Sequence, residues 1–402
     1  MKYNNNEEYI FHVSPPINTY SKELLNTLIK SKLVNMFTIT FMSLPVKEYY
    51  YPPSFNWQQT YKKIRKVIDT MYIAVLKLRH TITKEYIMKT QKRILAITGA
   101  FGYVGLRVIE RLKKSKFYTK IVCTDVIKPV MPLPPHFVYE YCDIRDGQKL
   151  KDIFINHKVT DVLHLAYLSN PTRNYKMEYE IDITGSENVL RATAAVKATK
   201  FVIASSDCAY GFFPDTPDYL DETAPLRPTP GFTYAIHKVE IEYKVMQFAK
   251  ENPKTKIVIM RPCIIMGPHC KSAVAKSLKQ PFILGFQGYN PIMQFIHEDD
   301  AAEAFYLALT KNVQGAFNLA ADKGLRYNEM AKVGGKPLVR IPAGIMKPIV
   351  SALYMLHLLP FGPGQLTYIQ YPLSMNADKI KKVLGFKPRY SSEQAIKAYL
   401  SS

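Results

Sequence analysis

Residues 93–112 read RILAITGAFGYVGLRVIERL, and this stretch decides the fold. Ile94 to Ile97 is an apolar run of the length of a fully buried strand. Gly99, Gly102 and Gly105 follow at GxxGxxG spacing, and Leu106, Val108, Ile109 and Leu112 then recur at helical intervals. Strand, glycine turn and helix in succession give a glycine triplet its meaning. Gly99 makes the tight turn, Gly102 lets the backbone approach a pyrophosphate, and Gly105 lets helix and strand pack closely. The helix start, with Phe101, Tyr103 and Val104 around it, offers unpaired N–H groups and partial positive charge to phosphates. A turn that needs glycine only for its backbone conformation, and binds nothing, would use the same residues.

Outward from this turn the chain alternates strand and helix. Strands are expected at Lys120–Asp125, Phe137–Cys142, Asp161–Ala166, Lys200–Ser205 and Lys256–Met266. Helices are expected at Leu150–His157, Glu178–Ala198 and Tyr234–Lys250. That alternation predicts βαβ units and a parallel sheet with right-handed crossovers. Runs such as FVIASS and IVIM are almost wholly apolar, as strands covered on both faces are. The expected fold class is α/β, a doubly wound parallel sheet of the Rossmann kind. Its nucleotide-binding part spans 88–267. After Gly267-Pro268 the rhythm turns irregular and richer in proline. Residues 268–402 are therefore expected to form a small substrate lobe, with some segments returning to the first core.

Residues 1–87 do not look like the rest. They are rich in Asn, Tyr and Lys and contain the single tryptophan, Trp57. Leu24–Leu33 and Tyr61–Leu78 carry apolar stripes at helical spacing, which suggests a small helical extension of unassigned role. A start at Met88 is equally compatible, since the first strand follows it directly. No basic head and apolar core mark a secretory signal.

The chain has 402 residues, 47% hydrophobic and 22% charged, enough for a sizeable core. Lys plus Arg number 54 against 33 acidic residues, a net charge of +21. A solvated basic surface accounts for this, and attraction to anionic membranes or ligands is the sharper reading. No block of Lys and Arg with interleaved aromatics occurs, so no nucleic-acid partner is expected. The five cysteines form no CxxC pair and read as reduced, buried thiols of a cytoplasmic protein. No uninterrupted apolar run reaches 18 residues, so no membrane span is expected. Ile341–Phe361, broken by prolines and Lys347, reads as core or interfacial helix.

Three further features carry chemistry. Asp125 stands twenty residues after Gly105, at the end of the second strand. An acid there accepts ribose hydroxyls and repels a 2′-phosphate, which favours NAD over NADP. Lys128 close by could soften that preference. Tyr234 and Lys238 lie four apart on a predicted helix and share a face. An ammonium beside a phenol favours the phenolate, so Lys238 is expected to lower the pKa of Tyr234 and prepare it for proton transfer. Ser206, after the fifth strand, could hold the same substrate oxygen. An exposed helix pair would show the same Tyr-x-x-x-Lys spacing; the serine strand 28 residues earlier supplies the context.

From about Lys92 onward the chain resembles the extended short-chain dehydrogenases/reductases, the NAD-dependent epimerase/dehydratase group. TGAFGYVG is similar to the cofactor loop. Asp143-Ile144-Arg145-Asp146 is similar to the adenine-side motif, and His164-Leu165-Ala166 to the fourth-strand motif. Ser205-Ser206-Asp207-Cys208-Ala209-Tyr210-Gly211 matches the serine strand, and Tyr234-Ala235-Ile236-His237-Lys238 the catalytic pair. Arg261-Pro262 to Gly267-Pro268, Phe295 to Ala302 and Leu384 to Pro388 match later family segments. The resemblance implies NAD as cofactor and Ser206, Tyr234 and Lys238 as catalytic residues. It implies cofactor contacts from Gly99, Phe101, Gly102, Tyr103, Val104, Gly105, Asp125, Asp143, Ile144, Leu165, Ala166, Tyr234 and Lys238. His164 and His297 sit in family motifs without metal, and no metal site is expected.

Three departures stand out. Asp182 replaces a frequent Asn, Ile264 replaces an Asn two residues after Arg-Pro, and Met293-Gln294 replaces an Arg-Asp pair. The last two bear on substrate, because that arginine grips a substrate diphosphate in nucleotide-sugar members. The expected activity is NAD-dependent oxidoreduction at a hydroxyl or carbonyl carbon of a small molecule. A nucleotide-sugar epimerase such as UDP-glucose 4-epimerase, a non-catalytic NAD-sensing module and a membrane-associated lipid-alcohol dehydrogenase are the alternatives. Weak contact with a membrane surface and a homodimer are compatible arrangements. Should a diphosphate bind after all, Lys271, Lys276, Lys279 or Arg326 would have to meet it.

Overall fold

A computed structural model describes residues 92–129, 132–170, 172–359 and 361–402, together with residues 66, 70 and 73. The stripe at Leu24–Leu33 and nearly all of that at Tyr61–Leu78 lie outside the described residues. The chain divides into two units, 1–89 and 90–402; the description concerns the second.

Strand β1 (Ile94–Thr98) enters the glycine turn, and α1 (Tyr103–Leu112) leaves it. Then come β2 (Lys120–Asp125), β3 (Phe137–Tyr141), α2 (Gly147–His157) and β4 (Asp161–His164). A helical stretch follows in three parts: α3 (Tyr175–Tyr179), a π-helical turn (Glu180–Gly185) and α4 (Ser186–Ala195). Next are β5 (Lys200–Ala204), a 3₁₀ turn (Asp207–Tyr210), α5 (Thr233–Glu251) and β6 (Lys256–Pro262). With β11 (Gly315–Leu319) these strands form a seven-stranded sheet, in the order β11-β6-β5-β4-β1-β2-β3. Every pairing in it is parallel.

Alternate strand residues bury on opposite faces, as a period of two requires. Leu95, Ile97, Ile121 and Leu163 enter one cluster with Ile109 of α1 and Phe305. Ala96, Val122, Val162 and Phe201 enter another with Phe154 of α2, Val189 of α4 and Ile241 of α5. Both faces are thus covered, which is why the strands read as continuous apolar runs. Strand order reverses between β1 and β4, and there the crevice for a ligand opens in such sheets.

Two elements differ from the sequence expectation. The helix expected over Glu178–Ala198 is interrupted by the π turn, which carries Asp182 inward. The strand expected over Lys256–Met266 ends at Pro262. After Cys263 the chain resumes as β7 (Ile264–Met266), which leaves the main sheet to pair with β10 (Phe295–His297).

Around β7 and β10 stand α6 (Ala273–Leu278), β8 (Ile283–Phe286) and β9 (Ile292–Met293). After β10 come α7 (Glu298–Thr310) and β11, which return to the main sheet. The smaller lobe is completed by β12 (Leu325–Arg326), α8 (Tyr327–Val333), β13 (Leu338–Ile341), α9 (Ala343–Met355) and a 3₁₀ segment (Pro363–Ile369). The chain ends with α10 (Asp378–Leu384) and α11 (Ser392–Leu400). Among the described residues no helix is long and apolar enough to cross a membrane.

Candidate active site

The glycine turn is built as its spacing implies. Gly99 has φ +69°, and a Cβ there would lie 2.5 Å from the Ala166 amide nitrogen. Gly105 is closed to any side chain: its Cβ would lie 2.4 Å from the Ala100 carbonyl oxygen. Gly102 differs. Its Cβ would meet only the Gly99 carbonyl, at 3.3 Å, so the side of the turn that Gly102 faces is open. Leu165 donates its amide to the Thr98 carbonyl, which holds the end of β4 against β1 beside the turn.

Asp125 is buried at the end of β2. Its carboxylate accepts the Phe101 amide at 2.8 Å and the Ile127 amide at 2.9 Å. Each oxygen keeps lone-pair capacity for a hydroxyl. Phe101 itself is buried and meets Tyr139 edge-on. Tyr103 donates its hydroxyl to Glu298 at 2.7 Å, and burial pushes its pKa up. Val104 packs against the core. Asp143 is paired with Arg145 at 2.6 Å, and the Arg145 guanidinium holds its carboxyl below the usual range. Ile144 is buried beneath, against Gly185.

Ser206, Tyr234 and Lys238 come together at the carboxyl end of β5. The Ser206 hydroxyl donates to Asp207 at 2.9 Å and accepts the Cys208 amide at 3.2 Å. Lys238 donates to the Ala204 carbonyl at 2.7 Å. Its ammonium lies 3.3 Å from the centre of the Tyr167 ring and 5.5 Å from that of Tyr234. Burial pushes Lys238 down to about 7, against the pull of Asp182 and Glu242. The expected lowering of the Tyr234 pKa is not what the structure has. Burial pushes the phenol well above its ordinary value, with only the Ser206 hydroxyl beside it acting the other way to any extent. Burial is the reason, and the Lys238 ammonium, stacked on Tyr167, does not offset it.

Three residues of the site escaped sequence reasoning. Asp207 is buried, and burial pushes its carboxyl up to about 6. It lines a narrow cleft of about 10 Å³ with Phe212, Ile264, Met293, Gln294 and Tyr368. A carboxylate directly after the serine, in an apolar strand end, was the available signal. Tyr167, just past the His-Leu-Ala motif, has a buried hydroxyl with no hydrogen-bond partner. Glu298 accepts the Tyr103 hydroxyl and the His269 amide, and its other oxygen lies 2.5 Å from His269 Nδ1. It ties the glycine turn to the smaller lobe.

The departures fall in place. Ile264 and Met293 put apolar walls on the cleft. Gln294 spends its amide on the backbone, donating to Ala321 and Met375 and accepting from Met375. Asp182 accepts the Leu168 amide and pairs with His237. Of the four basic candidates, Arg326 lines a second cleft, of about 430 Å³, beside Asp218, Tyr289 and Asn290. Lys279 reaches the carbonyl of Ser402 instead. His164 lies between Thr98 and Ser186, and burial pushes it down to about 3, so it is neutral. Among the described residues no group of three or more His, Cys, Asp or Glu could hold a metal.

A parallel sheet with a glycine turn at its switch point, and a Ser-Tyr-Lys cluster on the next strand and helix, define a dinucleotide-dependent α/β protein. The chain belongs to the NAD dependent epimerase/dehydratase family, whose model matches residues 95–320. NAD is therefore the cofactor. The chain is 22% identical to 3beta-hydroxysteroid-dehydrogenase/decarboxylase isoform 1 of Arabidopsis thaliana over 368 residues, 77% of this chain and 80% of that one. Two solved structures share the fold. One is the UDP-glucose 4-epimerase of Thermotoga maritima with UDP-glucose, at TM-score 0.62 and 20% identity, over 77% of this chain and 97% of that one. The other is the dTDP-glucose 4,6-dehydratase of Bacillus anthracis with NAD, at TM-score 0.59 and 17% identity, over 77% and 96%.

Proposed function

We propose that the protein is an NAD-dependent oxidoreductase of the epimerase/dehydratase type that works at a hydroxyl or carbonyl carbon. The single observation that carries this is the gathering of Ser206, Tyr234 and Lys238 at the carboxyl end of β5, with Ser206 bonded to Asp207, which lines the narrow cleft. The residues of the turn fit the cofactor. The open side of Gly102 admits a pyrophosphate, Asp125 keeps acceptor capacity for ribose, and the unpartnered Tyr167 hydroxyl marks a polar vicinity beside Lys238. When bound, NAD supplies the hydride acceptor or donor. Tyr234, kept protonated by its burial, gives its proton to the carbonyl oxygen as hydride reaches the adjacent carbon, and recovers it when the reaction runs in reverse. Ser206 holds that oxygen. Asp207, near neutrality in its pKa, accepts a hydrogen bond from a neighbouring hydroxyl or exchanges a proton with it.

Met293 and Ile264 favour a weakly charged substrate. A diphosphate needs charge-assisted donors, and neither side chain has one. The second reading, a nucleotide-sugar epimerase, is favoured by Arg326 in the adjoining cleft. Calorimetry of the NAD-loaded protein with UDP and UDP-glucose separates the two. Micromolar binding that Arg326→Ala removes selects the epimerase. No binding, with NADH formed at 340 nm from an uncharged secondary alcohol by wild type and not by Tyr234→Phe, selects the first.

A further inference from the structure

The smaller lobe carries a helix that is apolar on both sides. Met346 and Val350 of α9 are buried against Phe286 of β8 and Leu366 of the 3₁₀ segment. On the other side Ile345, Pro348, Ile349, Ala352 and Leu356 recur at offsets of 3, 4, 7 and 11. They fall in one stripe about 100° wide, and all are exposed. Met355, Leu356 and Leu358 are 70%, 67% and 66% exposed. The sheet under the helix extends this surface. Leu284 of β8 and Val339 of β13 are register partners and both exposed. Phe286 and Ile341, two residues on, point the same way and cover the base of α9. Scattered exposed apolar residues are ordinary; a continuous stripe with its own supporting strands is not.

The two segments that supply α9, β8 and β13 carry charge of one sign. Residues 330–377 contain no Asp or Glu, and neither do residues 252–297, which supply β8. The first segment contributes Lys332, Lys336, Arg340 and Lys347. Arg340 is exposed on β13, on the opposite face of the strand from Val339 and Ile341. The helix is also held fast. Its Tyr354 hydroxyl bonds that of Tyr175, and Arg173 stacks on the Tyr354 ring at 4.2 Å and donates to the Leu359 carbonyl at 3.1 Å.

We infer that α9 and the β8–β13 edge form a docking face for an anionic lipid bilayer surface. At 13 residues the helix is about 20 Å long, too short for a hydrocarbon core of about 30 Å. It lies in the interface, apolar stripe down, with the basic residues at headgroup level. An apolar stripe alone would fit a second copy as well. The absence of any carboxylate from both segments selects the anionic surface, because a self-complementary interface gains nothing from one sign of charge.

Flotation of the full-length protein with phosphatidylcholine vesicles, with and without phosphatidylserine, tests this. Wild type rises with the anionic vesicles and is released by raised salt. Ile349→Glu/Leu356→Glu lowers the bound fraction on the order of tenfold, with an unchanged melting temperature. Lys336→Glu/Arg340→Glu lowers it by about fivefold or more per residue, on anionic vesicles only. Failure of wild type to rise with phosphatidylserine overturns the inference, as does wild-type flotation of both variants. A dimer that the Ile349→Glu/Leu356→Glu pair converts to monomer, with flotation unchanged, overturns it in favour of an interface between copies.

Discussion

The imidazole of His237 and the carboxylate of Asp182 meet at 3.0 Å, both buried, immediately before the lysine of the site in sequence. Asp182 reaches this position because the π turn aims it inward, and its second oxygen holds the Leu168 amide. One carboxylate thus joins the segment after β4, the π turn and α5. Asp182→Ala strands two buried donors. Each unsatisfied group costs about 1–3 kcal/mol, so the melting temperature should fall markedly. Asp182→Asn keeps an acceptor for Leu168 and should lose much less. Equal losses in the two variants, measured by calorimetry, would remove the carboxylate from this role.

Two glycines of the turn should separate binding from folding. A side chain at Gly105 collides with backbone at 2.4 Å, so Gly105→Val should lower the melting temperature of the protein without ligand. A side chain at Gly102 meets only one carbonyl, so Gly102→Val should fold nearly normally and fail to enhance NADH fluorescence. Retained NADH binding by folded Gly102→Val would show that the pyrophosphate does not approach there.

Asp125 should make NADH bind more tightly than NADPH, since a carboxylate in the same place repels a 2′-phosphate. Fluorescence titration of both nucleotides gives the ratio directly. Asp125→Ser should narrow it. NADPH binding as tight as NADH to the wild type would refute the assignment.

Lys238 makes a stability prediction with a definite sign. Its folded pKa is about 7, against about 10.4 for an unfolded chain. Between those values the folded protein has shed a proton that the unfolded chain keeps, so stability rises with pH across that window. Lys200, pushed by burial to about 8, acts in the same direction, and it is present in both proteins of the comparison. The difference in stability between wild type and Lys238→Met should therefore move in favour of wild type from pH 7 to pH 9. A difference flat in pH would mean that the folded amine keeps its proton across this range, as the unfolded one does.

Asp207 has the opposite sign. Its carboxyl sits at about 6 when folded and near 3.9 unfolded, so the folded protein loses stability as pH rises through that window. Asp207→Asn removes the buried charge and should stabilise the protein at pH 7 by about 2 kcal/mol. The same variant should slow turnover by about 10² if the carboxyl exchanges a proton with substrate. A stabilised variant with wild-type turnover would leave Asp207 as a structural group.

Much of the first lobe was legible because its signals are local. Glycine spacing, a run such as ILAIT and a helical stripe each lie within a dozen residues. The π turn was not legible, because Glu180–Gly185 keeps the periodicity of its flanking helices; only the inward aim of Asp182 betrays it. The break in β6 had a signal that the apolar run KIVIMRPCIIM concealed: Pro262 has no N–H to give a central strand. The chemical state of Tyr234 was out of reach for a different reason. It is set by burial and by where Lys238 points, and Tyr167, which draws the ammonium aside, is 67 residues earlier in the chain than Tyr234. For Asp182 and Tyr234 the deciding contacts are distant in sequence; for β6 the signal was local but masked by the apolar run.

The short passage from β6 to β7 has a consequence for the cleft. Cys263 alone joins a strand of the main sheet to a strand of the smaller lobe, and its amide is fastened to the Leu319 carbonyl at 2.9 Å. The chain crosses again from β10 into α7, from β11 to β12, and on either side of α10, which packs on the main core. The cleft beside Asp207 therefore lies on the seam between the two sets of strands, with Asp207 and Phe212 from one and Ile264 and Met293 from the other, so that residues of both lobes together decide what fits there.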